Sequence, residues 1–395
     1  VVNTDITSID SQKCQHALSK LESRGPDHTS SISEDNIFAG HTRLRIVDPS
    51  ISADQPFKGS EGLLLFNGEI INYMSIRSIL ARKYQFRTAS DTEVLYWACI
   101  EWGNNVIEYL EGMFSFVFFS YIDNSILLGR DTFGIKPLYL YKSNNLIACA
   151  STIPCLEALD LSLSYDVESM HEYFVHSFTS SSRTFYNEIR RIPPGTCSRY
   201  SLDEPLELVD EKPSLILSNN NEIDTNHFSP ESILNVFHEW IDPDISAALA
   251  LSGGLDSSLL AGFIAEQKSP SARYAITMDS SGESCANTIT ERSLAETTAD
   301  FFGLKLYSQS TSITHLECSL LMKDLDEPPS SMNLFSMITL TSSLTDIHNT
   351  KVLISGEGAD EIFGGYERYF AQESVAQCDS SGFDYLLFGR NYQSA

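Results

Sequence analysis

The 395-residue chain is long enough for two or three domains of roughly 100 to 200 residues each, and its 42% hydrophobic content supplies cores for them. With 26 Lys and Arg against 53 Asp and Glu, the formal charge of -27 repels phosphate backbones and anionic membranes, so neither nucleic acid nor a membrane is an expected partner. The opening Val1-Val2-Asn3-Thr4-Asp5 lacks the basic and apolar regions of a secretory leader, and no run reaches the ~18 apolar residues that cross a bilayer; a cytoplasmic location is expected.

In chain order, helical periodicity covers 11–23, 75–83 and 92–102, the last opened by Ser90 with Glu93 three residues on, the pattern of a capping box. Strands are predicted at 63–67, 138–141 and 146–150. A hairpin is predicted from Phe114-Ser115-Phe116-Val117-Phe118-Phe119-Ser120, a turn at Asp123-Asn124 and Ile126-Leu127-Leu128-Gly129. The aromatic run reads as a strand whose alternate positions enter a core rather than as a ligand-stacking face. Residues 1–205 therefore form an α+β domain of sheets with flanking helices. From about Asp203 to His227, Pro205, Pro213 and Ser218-Asn219-Asn220-Asn221 break the periodicity and predict a linker, taken as 206–228.

Beyond it, buried strands at 247–251, 273–278, 305–308 and 351–354 alternate with helical stretches at 257–267, 291–301 and 335–344. That alternation predicts an α/β doubly wound parallel sheet in a domain over 229–395. The eight cysteines form no C-x-x-C pair and suit buried free thiols, Cys14 among them as a core thiol on a helix. His171 and His176 lie five apart on a predicted helix, a spacing that does not make a metal pair.

The chemistry concentrates in a few strings. Ser252-Gly253-Gly254-Leu255-Asp256-Ser257-Ser258 lies between a strand and a helix, where a doubly wound sheet binds ligands. Its glycines let backbone N–H groups approach an anion, its hydroxyls add donors, and the helix N-terminus adds partial positive charge. Asp256 makes sense among phosphate-binding donors if it holds Mg2+. The lysine of a Walker A loop is absent. About 100 residues on, Ser355-Gly356-Glu357-Gly358-Ala359-Asp360-Glu361-Ile362-Phe363-Gly364-Gly365-Tyr366 again follows a strand, which places two glycine-rich, carboxylate-bearing loops at one sheet edge.

These loops resemble those of the asparagine synthetase family, whose relatives include β-lactam synthetases, and the likeness covers nearly the whole chain. The resemblance implies an ATP and Mg2+ site. Ala250, Leu251, Ser252, Gly253, Gly254, Leu255, Asp256, Ser257, Ser258, Ile276, Ser355 and Gly356 would bind ATP, and Asp256 and Asp360 the metal. Glu357 would take part in adenylation and amide formation. Asp326-Glu327-Pro328 matches a stretch that lies by the acyl-acceptor pocket in relatives.

The first domain is similar to the N-terminal-nucleophile (Ntn) glutaminase of the same family. The matching strings are Arg24-Gly25-Pro26-Asp27, His41-Thr42-Arg43-Leu44-Arg45-Ile46-Val47-Asp48, Asn67-Gly68-Glu69-Ile70-Ile71-Asn72-Tyr73, Ser90-Asp91-Thr92-Glu93, and the run from Gly129-Arg130-Asp131 through Gly134-Ile135-Lys136-Pro137 to Tyr139. Carried over, Arg43 would take the glutamine α-carboxylate, Glu69 and Asp91 the α-ammonium, Leu44 and Val47 would complete the pocket, and Asn67 with the Gly68 N–H would form the oxyanion hole. Outside the resemblance, Arg24 to Asp27 reads as a turn and Arg130-Asp131 as a surface ion pair.

Against the family pattern the chain reads as short at both ends. It opens Val1-Val2 where family glutaminases carry a cysteine nucleophile with a free amine, and it stops at Ala395, before the segment that carries a pyrophosphate-binding lysine. The function implied is amide synthesis through an acyl-AMP, with asparagine from aspartate as the first case. A β-lactam-synthetase-like or other amidating or cyclising paralogue without glutaminase activity, and a truncated, inactive relative, are the other two readings. A homodimer is the assembly implied by the family.

Overall fold

In the computed structural model of the chain, residues 1–3, 10–34, 36–46, 48, 50–180, 182–203, 206–213, 229–241, 245–266, 274–279, 291–310, 322–329, 333–344 and 350–366 are described. The chain divides into two units, Val1–Thr225 with Ser319–Pro328, and Asn226–Cys318 with Pro329–Ala395.

The first unit begins with β1 (Val2–Asn3), α1 (Ser11–Ser19), β2 (His28–Glu34) and β3 (Ile37–Arg43), then β4 (Phe57–Lys58), β5 (Gly62–Ile70), α2 (Tyr73–Leu80) and α3 (Asp91–Trp102). It continues through β6 (Gly112–Ser120), β7 (Ser125–Arg130), β8 (Tyr139–Lys142), β9 (Leu146–Ala150), α4 (Ile153–Glu157) and α5 (Val167–His176), and closes with β10 (Ile189–Arg191), β11 (Thr196–Ser201) and β12 (Glu207–Pro213). Two six-stranded antiparallel sheets result, ordered β10-β8-β9-β1-β3-β2 and β12-β11-β7-β6-β5-β4.

The aromatic run explains why the sheets stack. On β6, Phe114, Phe116 and Phe118 enter a core with α2 and α3, while Phe119 and Val117, on the other face, join Ile147, Leu140 and Ala39 of the facing sheet. Both faces of this strand are buried, so its sequence is apolar at nearly every position instead of alternating with polar residues. A third core covers the outer face of the first sheet with α1 and α4. The layers are helix, sheet, sheet, helix, as expected for an α+β sandwich.

Two local expectations are corrected. The capping box at α3 forms only in half: Ser90 Oγ accepts from Thr92 N at 3.1 Å, but the fully buried Glu93 carboxylate turns to the preceding loop. There it accepts from Arg87 N at 2.9 Å, Thr88 N at 2.6 Å and the Thr88 hydroxyl at 2.8 Å. Residues Glu207–Pro213, expected within a linker, pair with β11 from Thr196↔Pro213 to Ser201↔Glu207. Their exposed charged side chains hid a sheet-edge strand held through its backbone. The rest of the predicted linker, 214–228, lies outside the described residues.

The second unit contains α6 (Pro230–Trp240), β13 (Ala247–Ala250), α7 (Leu255–Glu266), β14 (Tyr274–Asp279), α8 (Glu291–Phe302), β15 (Lys305–Ser310), α9 (Asn333–Leu344), β16 (Val352–Ile354) and α10 (Ala359–Phe363). Its strands are all parallel in the order β15-β14-β13-β16. Phe237, Leu260, Phe263, Ala295 and Ala299 from α6, α7 and α8 pack with Leu249 and Ala275 on one face; Leu340 and Leu344 of α9 pack with Ala248 and Ile276 on the other. Helices on both faces make this a doubly wound sheet. Strand order reverses between β13 and β16, and the ends of those two strands carry the two glycine-rich loops.

Candidate functional site

A cavity of about 510 Å3 opens within the first unit. Strand β3 brings Arg43 to its wall, followed by Leu44; β5 brings Asn67, Gly68 and Glu69; and the first turn of α3 brings Asp91. Six of the seven residues expected around glutamine thus line one space. Val47 lies outside the described residues.

The electrostatics differ from a bare cationic fork. Arg43 is buried and already paired, its Nη1 lying 2.6 Å from Asp54 Oδ1 and 3.0 Å from the Ser50 carbonyl oxygen, with Nη2 donating to the Asp48 carbonyl. Arg45 holds the other Asp54 oxygen at 2.6 Å. Burial pushes the Asp54 carboxyl up, but the hydrogen bonds from Arg45 and Arg43 outweigh it and hold the group below its ordinary value. Elsewhere in the wall, burial raises the Asp91 carboxyl although it accepts from Ile70 N at 3.2 Å and from the Ser90 hydroxyl at 3.2 Å.

Gly68 has φ +136°, and a Cβ there would sit 2.0 Å from the Met113 carbonyl oxygen, so no larger residue fits. Next to it, Asn67 Nδ2 is shut off from solvent and has no hydrogen-bond partner among the described residues. An unpaired buried amide donor is uncommon and calls for a cause. Cys14, Cys149 and Cys155 also line the cavity, and burial keeps all three thiols protonated, pushing Cys149 and Cys155 up to about 12.

The structure adds residues that sequence reasoning left without a role. Arg130 and Asp131 are not a surface ion pair; they are 6% and 1% exposed. Arg130 donates to the carbonyls of Lys136 at 2.9 Å, Ile192 at 2.7 Å and Gly134 at 2.6 Å, while Asp131 accepts from the N–H groups of Phe133, Ile135, Lys136 and Phe114. Between them they shape the loop that puts Lys136 in the cavity wall, where burial lowers its ammonium pKa.

His41, two residues before Arg43 on β3, lies with Nε2 3.1 Å from the Phe66 carbonyl oxygen. Burial lowers its pKa from 6.5 to about 4, against the Phe66 hydrogen bond and the Asp54 charge and with help from the Arg43 and His28 charges, so the ring is neutral and donates through Nε2. Because the folded state binds fewer protons than the unfolded one between those values, the stability held by neutral His41 is full above about pH 6.5 and is lost as pH falls toward 4. About 2 kcal/mol should disappear between pH 7 and pH 5, above the range in which Asp54 takes a proton. Denaturant unfolding of His41→Gln, which retains a donor for Phe66, is expected to show a flatter pH dependence; an unchanged slope would assign the acid sensitivity to another group.

In the second unit, the loop after β13 folds on itself before α7. Ser252 Oγ lies 3.1 Å from Ser257 Oγ and accepts from Gly254 N at 3.2 Å, and Ser257 Oγ donates to the Gly254 carbonyl at 3.2 Å. Gly253 adopts φ +78°, with α8 so close that a Cβ would meet Leu294 Cβ at 2.4 Å. Leu251 N donates to the Ile276 carbonyl at 2.9 Å, which extends the β13–β14 ladder to the loop. Across the strand pair, Gly356 packs against the first turn of α7: a Cβ on it would lie 3.0 Å from Asp256 Cβ and 3.4 Å from Ser257 N. Ser355 and Gly356 are therefore at Asp256, Asp360 follows on α10, and Glu357 is exposed on the intervening turn. No cluster of three or more His, Cys, Asp or Glu suited to a metal occurs among the described residues. The groups gathered here are oxygens, which suit a hard cation, and backbone N–H groups, which suit the phosphate oxygens that such a cation would share.

Two family profiles match: one described as a glutamine amidotransferase domain over residues 2–206 and one described as asparagine synthase over residues 241–387. The chain belongs to the asparagine synthetase family. Its relatives include Amidase chyE of Penicillium rubens, 27% identical over 90% of this chain and 55% of that one. Asparagine synthetase [glutamine-hydrolyzing] 1 of Bacillus subtilis is 27% identical over 88% and 54%, and the asparagine synthetase [glutamine-hydrolyzing] of Triphysaria versicolor is 29% identical over 88% and 56%. The chain thus spans a little over half the length of the curated relatives it matches. In this family member an Ntn-type amidotransferase sandwich precedes an ATP-pyrophosphatase sheet. No helix among the described residues is long and apolar enough to cross a membrane.

Proposed function

We propose that the protein is a glutamine-dependent amide synthetase: the first unit releases ammonia from glutamine, and the second activates a carboxylate with ATP for that ammonia to attack. The observation that carries this reading is the cavity that gathers Arg43, Gly68, Glu69 and Asp91 with Asn67, whose amide donor has no acceptor among the described residues. A zwitterionic amino acid needs a cation at its carboxylate and anions at its ammonium, and Arg43 with Glu69 and Asp91 in the same cavity supplies both. Asp54 lowers the net charge of that wall and fixes the plane of the Arg43 fork without using all five of its donors. Asn67 Nδ2 and the Gly68 N–H are the groups available to an amide oxygen as it gains charge. The protonated cavity thiols are poor nucleophiles, so Cys14, Cys149 and Cys155 serve as packing.

In the second unit, Ser252, Ser257, Ser258 and the loop N–H groups would cradle the phosphates of ATP, with Ala250, Leu251, Ile276, Ser355 and Gly356 beside the nucleoside. Asp256 and Asp360 would hold Mg2+, which when bound offsets charge on the phosphates. The loops orient the nucleotide and Glu357 faces the acyl group.

Aspartate is the first acyl acceptor to test. A second reading, amidation of another carboxylate, has its own support in the similarity to Amidase chyE and to Amidase chry2 of Gibberella zeae, the latter 27% identical over 96% of this chain. Pyrophosphate release from Mg-ATP, measured with aspartate or other carboxylates and with glutamine or ammonia, decides between them. Glutamine-supported asparagine formation carries the first reading, and turnover with a different acid only carries the second. Ammonia-only activity removes the glutamine part, and no pyrophosphate with any acid overturns both.

A further inference from the structure

Strand β4 ends its pairing with β5 early: Phe57↔Leu64 and Lys58↔Leu63 are its only register pairs among the described residues. Upstream lies Pro56, which has no N–H to give, and then Gln55. The side chain of Gln55 takes over the ladder there. Its Oε1 accepts from Phe66 N at 2.7 Å and its Nε2 donates to the Phe66 carbonyl at 3.0 Å, so one carboxamide serves both polar groups of one backbone residue. Gln55 is 6% exposed, and its own carbonyl accepts from the Ser30 hydroxyl, which ties it to β2. The same Phe66 carbonyl also takes His41 Nε2 at 3.1 Å.

Three hydrogen bonds therefore converge on Phe66, and the next two residues are Asn67 and Gly68. On the other edge of β5, Asn67 and Gly68 are registered with Ser115 and Phe114 of β6. Without Gln55 the Phe66–Asn67 peptide would be tied on the β4 side only through His41, and a turn of that peptide plane would swing the Asn67 side chain. A buried carboxamide spent on a residue adjacent to the unpaired Asn67 donor is a large polar commitment for a sheet edge that an apolar residue could cover.

We infer that Gln55 is a positioning residue for glutamine hydrolysis: by holding both polar groups of Phe66 it aims Asn67 Nδ2 and the Gly68 N–H at the amide oxygen. The inference rests on the glutamine reading of the cavity. Gln55→Met retains the length of the side chain and removes both hydrogen bonds; Gln55→Glu retains the acceptor for Phe66 N and loses the standing donor. In the protein produced with its native termini, glutamine affinity by calorimetry, kcat and KM for glutamate release, and thermal melting are measured together. Gln55→Met is expected to lower kcat about 10- to 100-fold with glutamine affinity within about twofold, because the donors matter most as charge develops on the oxygen. Gln55→Glu is expected to fall between it and the wild type. A kcat for Gln55→Met within about threefold of wild type overturns the inference, as does a loss of glutamine affinity equal to the loss of kcat, which would mark a collapsed pocket. A wild-type protein that does not bind glutamine overturns the cavity reading itself and the inference with it.

Discussion

Asp256→Asn is expected to lower pyrophosphate release from Mg-ATP by about a thousandfold or more, while glutamine hydrolysis and thermal melting stay near wild type. The reasoning starts from charge. Asp256 stands in the first turn of α7 beside Ser252, Ser257 and the N–H groups of the loop, with the Gly356 backbone against its Cβ. A carboxylate there repels a triphosphate unless a divalent cation lies between them. Asparagine retains the shape and the loop hydrogen bonds but not the charge, so it isolates the metal-holding role. Varying Mg2+ at fixed ATP provides the check: the residual activity of the variant should need higher Mg2+, and full activity at ordinary Mg2+ would sink the assignment.

Asn67→Ala is expected to lower kcat for glutamine hydrolysis by about 10²- to 10³-fold with a much smaller change in KM. The Nδ2 group has no partner among the described residues, so its removal costs the fold little, and the loss should appear where an oxygen gains negative charge. Ammonia-supported amide formation should remain at the wild-type rate. If both nitrogen sources suffer equally, Asn67 is a structural residue of β5 and the oxyanion reading fails.

Much of the fold was legible because both units obey strong local patterns. The alternation of strands and helices beyond residue 245 specifies a parallel sheet, and the aromatic stretch at 114–119 marks a strand, although the strand period predicts a core at alternate positions only and the structure buries both faces. The glycine loop after β13 was readable for a similar reason: Gly253 occupies a backbone conformation that excludes other residues, and such constraints leave a local signature. What escaped depends on partners distant in sequence. Nothing near Asp54 announces that two arginines on or just after β3 will share it, and nothing in Gln55-Pro56 announces a surrogate backbone partner for Phe66. Arg130-Asp131 looks like an exposed pair because adjacent opposite charges usually are. Here each is buried and satisfied by backbone groups instead of by the other. β12 escaped because an edge strand needs no apolar face, only a neighbour with unpaired N–H and C=O groups.

The short stretch at 322–329 has a consequence for how the protein can be cut. By sequence it falls between β15 and α9, both elements of the second unit, yet up to Pro328 it belongs to the first. Asp326 accepts from Ile153 N at 2.6 Å and from the Tyr139 hydroxyl at 3.1 Å, and Glu327 pairs with Arg191 at 2.6 Å and takes the Thr179 hydroxyl at 2.7 Å. A fragment that stopped anywhere in 214–228 would contain every described strand of the sandwich and still leave the mostly buried Arg191 guanidinium without its carboxylate. The amidotransferase half is thus discontinuous in the gene. Its last polar contacts are translated about 100 residues after its last strand, so on the ribosome it can finish only once most of the described second unit has been made.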